Sequence, residues 1–223
     1  MDGEKPVFLL SIQGILSPKT LEAAREVHNR TARAPANVAA ARQLSDLSHM
    51  VYVPLGGNGH AGDFLILDLW NNMDGLNKFF SDPHVQEGGG LIFGSRDPVV
   101  WTPAGLVSYN FPAPYGKNDR IVATVRAKVK SLAEASQYHN ALVQKLVNKA
   151  RIAGNMSHTG YYRMAAPGDP AGLEFFAVDT WFDAAGMAKH YQNPEVMEGF
   201  GDLFSVPPAL GVWVHPAGEW VEW

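Results

Sequence analysis

Eight histidines and no cysteine set the chemistry open to this 223-residue chain. Without thiols there is no disulfide, thiolate metal site, iron–sulfur cluster or cysteine nucleophile, so proton transfer falls to His, Asp, Glu and Tyr. Four of the histidines recur in matching contexts: His28-Asn29 with His139-Asn140, and Ser48-His49 before Tyr52 with Ser157-His158 before Tyr161. Two Asp-x-Trp steps, Asp68/Trp70 and Asp179/Trp181, recur in the same way. An imidazole titrates near neutrality and can take a proton from a phenol or an enol. A carboxylate can orient it, and an indole two residues along a strand shares that carboxylate's face. The candidate catalytic residues are therefore His139, His158 and Asp179, with His28 and His49 in the first copy. Candidate substrate contacts are Trp181, Tyr191, His190, Tyr161, Asn140 and Trp70. Each has a plainer reading as a buried His tied to a carbonyl, a core Trp or a locally bonded Asn, and the residues alone leave both open.

Other chemistries find no foothold. The spacing from His139 to His158 is not a ligand motif and no carboxylate completes an H-x-x-E or H-x-H pattern, so no metal site is expected. The run Gly88-Gly89-Gly90 lies inside a helical segment, outside the strand-turn-helix context of a phosphate loop, and no G-x-S-x-G elbow occurs. His60, His84 and His215 have no histidine counterparts and read as surface residues.

The paired residues belong to an internal repeat. DLWNNMDGLNKFFSDPHV from Asp68 aligns without a gap on DTWFDAAGMAKHYQNPEV from Asp179, an offset of 111 residues that also joins His28-Asn29 to His139-Asn140. Between these anchors the offset is 109, which puts two extra residues in the first helical segment of copy one, where Pro35 supplies a break. Ala61-Gly62 matches Ala171-Gly172, and WTPAG from Trp101 echoes WVHPAG from Trp213. One difference stands out: His190-Tyr191 replaces Phe79-Phe80, which makes the second copy the expected workplace.

Each copy needs the same elements to position these side chains. RIVATVRAKV alternates as a strand, and the following helix puts Leu132, Ala135, His139, Leu142, Val143 and Leu146 on one face. HTGYYRM and LEFFAVDTWF read as strands, a second helix spans about 184–204 with a break at Asn193-Pro194, and ALGVWVH closes the unit. The order β-α-β-β-α-β is the split βαβ arrangement of an α+β fold. FLILDLW is apolar on both faces, so its sheet has helices on one side and needs cover on the other. Residues 1–113 and 114–223 are read as two ferredoxin-like repeats joined by NFPAPYGKND. Apolar residues at 46%, charged residues at 18% and a net charge of −4 without a basic block point to a small-molecule substrate and away from nucleic acid. No run of about 18 apolar residues offers a membrane span, and the cytoplasm is the expected location.

These residues resemble the dimeric α+β barrel superfamily, in particular the antibiotic-biosynthesis-monooxygenase-like group. The carriers are the split βαβ order, a strand ending in D-x-W, and a second helix with G-M/L-x-K and an F/Y before a D/N-P-x-V step. The resemblance implies two tandem repeats forming an intrachain dimeric α+β barrel, with a homodimer of the whole chain also compatible. It implies a cavity between sheet and helices in each unit, and an oxygenase using no metal or flavin on an aromatic or polyketide-like substrate. A cyclase, lyase or isomerase, or a haem or hydrophobic-ligand carrier, is equally at home on such a fold. Haem-degrading relatives use an aromatic residue on the second helix and a His about ten residues later. Tyr191 takes the first position, but Gly201 stands near the second, so no cofactor is expected and haem keeps only His190 as a ligand.

Overall fold

The structure, a computed structural model, describes residues 6–32, 35–56, 63–103, 105–112, 116 and 119–223. His60, the Ala61-Gly62 match and part of the linker lie outside them. The chain divides into two compact units, Met1–Thr102 with Pro216–Trp223, and Pro103–His215. The tail that follows each repeat's last strand thus packs with the unit of the other repeat.

Unit 1 runs β1 (Phe8–Leu16), α1 (Leu21–Ala32), α2 (Pro35–Gln43), β2 (Asp46–Pro54), β3 (Asp63–Trp70), α3 (Met73–Phe80), α4 (Pro83–Ile92) and β4 (Phe93–Thr102). Unit 2 adds a short β5 (Tyr109–Asn110), then runs β6 (Ile121–Lys128), α5 (Leu132–Ile152), β7 (Asn155–Arg163), β8 (Glu174–Trp181), α6 (Ala184–Tyr191), α7 (Pro194–Leu203) and β9 (Ala209–Val214). Within unit 1 the strands lie in the order β4-β1-β3-β2, and within unit 2 as β9-β6-β8-β7-β5. The pairings within each unit are antiparallel, which is the ferredoxin-like topology in both.

Local chemistry explains the breaks. Asp82 and Asn193 each cap a helix by accepting from the backbone N–H two residues on, with Pro in the first helical turn, so the second helical segment is split at the same point in both copies. The first segment is two helices in copy one and a single 21-residue helix, α5, in copy two. The middle strand β3 is buried along Phe64, Leu65, Ile66 and Leu67, so both its faces are covered, and Phe175, Phe176 and Ala177 repeat this in β8. A core Trp closes each sheet with its indole satisfied: Trp101 Nε1 donates to Ser11 Oγ at 2.7 Å, and Trp213 Nε1 donates to Thr124 Oγ1 at 2.9 Å.

The junction before β2 and β7 is the tightest shared contact. Ser45 and Gly154 both take left-handed φ there, 77° and 100°. A Cβ on Gly75 would lie 1.9 Å from the Leu44 carbonyl oxygen, and one on Gly186 would lie 1.9 Å from that of Ala153. This close approach sets α3 and α6 against the strand carrying His49 or His158. Gly75→Ala is expected to destabilise the protein by about 1–3 kcal/mol, the usual range for overpacking against backbone. Gly90→Ala, in helix α4 with nothing within 4 Å of the new Cβ, should stabilise by up to about 1 kcal/mol on helix propensity. Urea unfolding of the two variants checks the opposite signs.

Candidate active site

Strand register and helix phase bring the repeated residues together. His49 pairs directly with Asp68 across β2 and β3, and His158 with Asp179 across β7 and β8, so in each unit imidazole and carboxylate stand side by side on one face. His28 and His139 are buried on α1 and α5, 1% and 3% exposed, and reach down to the same spot. In unit 1, Asp68 Oδ1 lies 2.7 Å from His49 Nδ1, His49 Nε2 lies 3.0 Å from His28 Nε2, and His28 Nδ1 lies 3.2 Å from Asn29 Oδ1. Unit 2 repeats the chain with Asp179, His158, His139 and Asn140 at 2.7, 2.9 and 3.0 Å.

The asparagines fix where the protons are. Asn29 Oδ1 accepts from the Val221 N–H at 2.9 Å and its Nδ2 donates to the Glu219 carbonyl at 2.7 Å. Asn140 Oδ1 accepts from the Val107 N–H at 2.8 Å and its Nδ2 donates to the Gly105 carbonyl at 3.3 Å. With the amide orientation set, His28 and His139 must donate through Nδ1, which leaves Nε2 as a lone pair. His49 and His158 then donate through Nε2 to the partner histidine, and their Nδ1 shares a proton with the carboxylate at 2.7 Å. In unit 1 the raised pKa of His49 favours the form in which that proton sits on the imidazole.

The electrostatics agree. Burial, and then the neighbouring His49 or His158 charge, lowers His28 and His139 to a pKa of about 4. For His49, burial works against the cation, but the charge and hydrogen bond of Asp68 outweigh it and the pKa rises. Aromatic rings cover both chains. Trp223 stacks on His49 at 4.6 Å and Trp220 lies 5.2 Å from His28, whereas Tyr109 lies 5.7 Å from His158.

The two units differ in what meets the carboxylate. Tyr191 donates its hydroxyl to Asp179 Oδ2 at 2.6 Å, and the cavity there, lined by His139, His158, Asp179, Trp181, His190 and Tyr191, has a volume of about 70 Å³. Burial and Asp179 push the Tyr191 hydroxyl well above its usual pKa, so it stays a donor. In unit 1 the cavity is about 210 Å³, with Ile12, Ile66, Phe79, Phe80 and Phe93 around the acidic pair Asp46 and Asp68. Asp46 is 5% exposed and its Oδ1 has no hydrogen-bond partner among the described residues. Burial, and then the Asp68 charge, raises it to a pKa of about 8, so it is a neutral acid at neutral pH. Asn155 occupies the corresponding first position of β7, also with an unpartnered Oδ1.

Some expected residues fall elsewhere. Tyr161 lies three residues beyond His158 and so on the opposite face of β7, pushed up to a pKa of about 12 by burial. Asn140 holds His139 and the 105–107 backbone and is a positioning residue. Trp70 packs 5.6 Å from Phe79 and 6.0 Å from Phe80. His84, read as a surface residue, is exposed but lies on the wall of the unit 1 cavity. Both ring nitrogens of His139 are engaged, by Asn140 and His158, which leaves His190 as the imidazole without a relay partner on the wall of the unit 2 cavity. The unit 1 cavity is the larger one, whereas the His190-Tyr191 pair fills its own. Asp46, Trp220, Trp223 and Tyr109 were not singled out in sequence. The 109-residue offset does set Asp46 opposite Asn155, which is the one signal that marks any of them.

No protein-family model and no curated protein sequence matches the chain. Solved structures match over nearly its whole length. An anthrone oxidase-like protein aligns with a TM-score of 0.64 and 15% identity over 98% of this chain and 96% of that one. The likeness shows the fold, a ferredoxin-like unit used twice. A ferredoxin-fold protein from Listeria monocytogenes related to antibiotic biosynthesis monooxygenases aligns at TM-score 0.54 and 9% identity over 96% and 97% of the two chains. A chlorite dismutase variant from Candidatus Nitrospira defluvii aligns at 0.53 and 12% over 94% and 92%. Identities this low speak for the fold alone.

The four relay histidines are not open to haem, since both ring nitrogens of each are engaged. His190, the ligand expected from the sequence, lines a cavity of only about 70 Å³, below the roughly 300 Å³ at which pockets for drug-sized ligands begin. Among the described residues no helix is long and apolar enough to cross a membrane.

Two pH effects follow. Asp46, raised to about 8 in the folded chain, binds a proton that the unfolded chain has released above about pH 4, so its burden on stability grows from pH 4 to pH 8. Asp46→Asn should therefore unfold at higher urea than the parent protein at pH 8 and match it near pH 4; a gain that is flat with pH would contradict the neutral acid. His28 and His139, lowered to about 4, stay neutral in the folded chain while the unfolded chain takes up protons below about 6.5. Stability should fall as pH drops from 6.5 to 4, with a net uptake of protons on unfolding that calorimetry in buffers of different ionisation enthalpy measures.

Proposed function

We propose that the chain is a small-molecule oxygenase that uses no metal or flavin, and that it works in the unit 1 cavity. The observation that carries this is the Asp68–His49–His28–Asn29 chain, which ends on a carboxylate held by His49 through Oδ1, beside a largely apolar cavity. Asp68 accepts a proton from an enolic or phenolic substrate. Negative charge then passes from the carboxylate to the substrate while the His49 cation stays beside it, so the ion pair is exchanged and not broken. The electron-rich carbon reacts with dioxygen to form a C–O bond and takes a proton as the hydroperoxide. If that carbon bears a hydrogen, loss of water breaks the O–O bond and leaves a carbonyl. One oxygen atom enters the product and the other leaves as water, and dioxygen takes up the four electrons the substrate gives. Asp46, a neutral acid beside Asp68, is placed to return the proton.

The names of the structural neighbours, anthrone oxidase-like and monooxygenase-related, support the same class of chemistry. A volume of about 210 Å³ favours one or two rings over a larger polyketide. Asp68→Asn is expected to lower oxygen uptake on a hydroquinone-type substrate by about 100-fold or more, the range for loss of a general base, with the thermal midpoint as a folding control. Equal turnover under argon and air would instead identify a cyclase, lyase or isomerase built on the same proton transfer.

A further inference from the structure

The rings around the two cavities correspond closely. Trp70 lies 6.0 Å from Phe80 at 62°, and Trp181 lies 5.8 Å from Tyr191 at 57°. Trp70 to Phe79 is 5.6 Å at 45°, and Trp181 to His190 is 5.2 Å at 49°. Phe79 meets Phe80 at 5.2 Å and 84°, and His190 meets Tyr191 at 5.5 Å and 80°. Phe80 and Tyr191 therefore place their rings alike, and the difference is one hydroxyl. In unit 2 that hydroxyl sits on Asp179 Oδ2 at 2.6 Å. In unit 1 the phenyl ring carries no hydroxyl at the corresponding place, and the cavity is about 210 Å³ instead of about 70 Å³.

We infer that Tyr191 shows how the ligand of unit 1 is held: an un-ionised aromatic hydroxyl donates to Asp68 Oδ2 in the place of the tyrosine hydroxyl, and the ligand's ring fills the extra volume of that cavity. This rests on the reading of unit 1 as the working site and adds its ligand class, a neutral phenol or enol rather than a phenolate or carboxylate. A phenolate would set a second anion against Asp68, and an arene without the hydroxyl would leave the carboxylate oxygen desolvated and unpaired. The raised pKa of Tyr191 accords with this, since the same carboxylate environment keeps a hydroxyl protonated until reaction.

Binding of p-cresol and of toluene, followed by protein NMR, tests this without any turnover. The two probes share a shape and differ in the hydroxyl. Wild-type protein is expected to bind p-cresol at unit 1 resonances at least about tenfold more tightly than toluene, as a hydrogen bond to a charged acceptor implies. Phe80→Tyr supplies the hydroxyl from within and should bring that preference to about one. Tyr191→Ala, which keeps Cβ, leaves a gap with the outline of phenol, and phenol should raise its melting temperature more than benzene does. Equal binding of the two probes to wild-type protein, or an undiminished preference in folded Phe80→Tyr, overturns the inference. If Phe80→Tyr does not fold, the wild-type preference and the Tyr191→Ala rescue still decide. Loss of oxygen uptake as an activity would overturn the oxygenase reading and leave the binding result standing, so the two failures are distinguishable.

Discussion

The arrangement of both sites depends on the orientation of one amide. Asn29 and Asn140 are each held by a backbone donor and a backbone acceptor, so their side chains cannot rotate to suit the histidine beside them. The histidine must conform, and from its tautomer follows the direction of the His–His hydrogen bond. A free His–His–Asp cluster can shuffle its protons among several forms at similar energy. An amide fixed by the backbone selects one of them.

Burying an imidazolium–carboxylate pair is expensive, and such pairs add little to stability unless their remaining hydrogen-bonding positions are filled. Here every ring nitrogen has a partner, and the aromatic cover from Trp220 and Trp223, or from Tyr109, excludes water. What remains is the second carboxylate oxygen. Tyr191 fills it in unit 2, so that the polar chain there is complete from Asn140 to Tyr191. Unit 1 keeps the same chain, with Phe80 in the place of the tyrosine and no hydroxyl on it. Its neighbour Asp46 adapts by staying protonated, and the Asn at the matching place in unit 2 shows that this position suits a neutral polar group.

The repeat made most of this legible. A shared offset marked His28/His139, His49/His158, Asp68/Asp179 and the Asn that follows each helix histidine, and helix phase sent the histidines toward the sheet. The direction of the relay was not legible, because it depends on which backbone groups meet the Asn, and those lie in the tails after β4 and β9. WTPAG and WVHPAG look alike, but nothing in them says which unit each will pin. The contrast of His190-Tyr191 with Phe79-Phe80 was visible, but its sense was not. Polar residues in a pocket can serve a ligand or take its place, and only the hydrogen bond from Tyr191 to Asp179 distinguishes the two.

The tails also bear on how such a site is held together. The contact from Asn140 to Gly105 closes 35 residues of chain, whereas the one from Asn29 to Glu219 closes 190. Loop closure grows only as the logarithm of length, so the longer connection costs about 1.5 kcal/mol more. A single net hydrogen bond contributes about as much. The 216–223 tail makes two hydrogen bonds to Asn29, exchanges two backbone hydrogen bonds with His49, stacks the Trp223 indole on His49 and sets the Trp220 indole at a tilt against His28. These contacts outweigh the longer closure. A site whose key amide is fixed by a segment so remote in sequence is therefore no weaker than its counterpart, and the difference between the two units lies in the tyrosine hydroxyl and not in the anchoring.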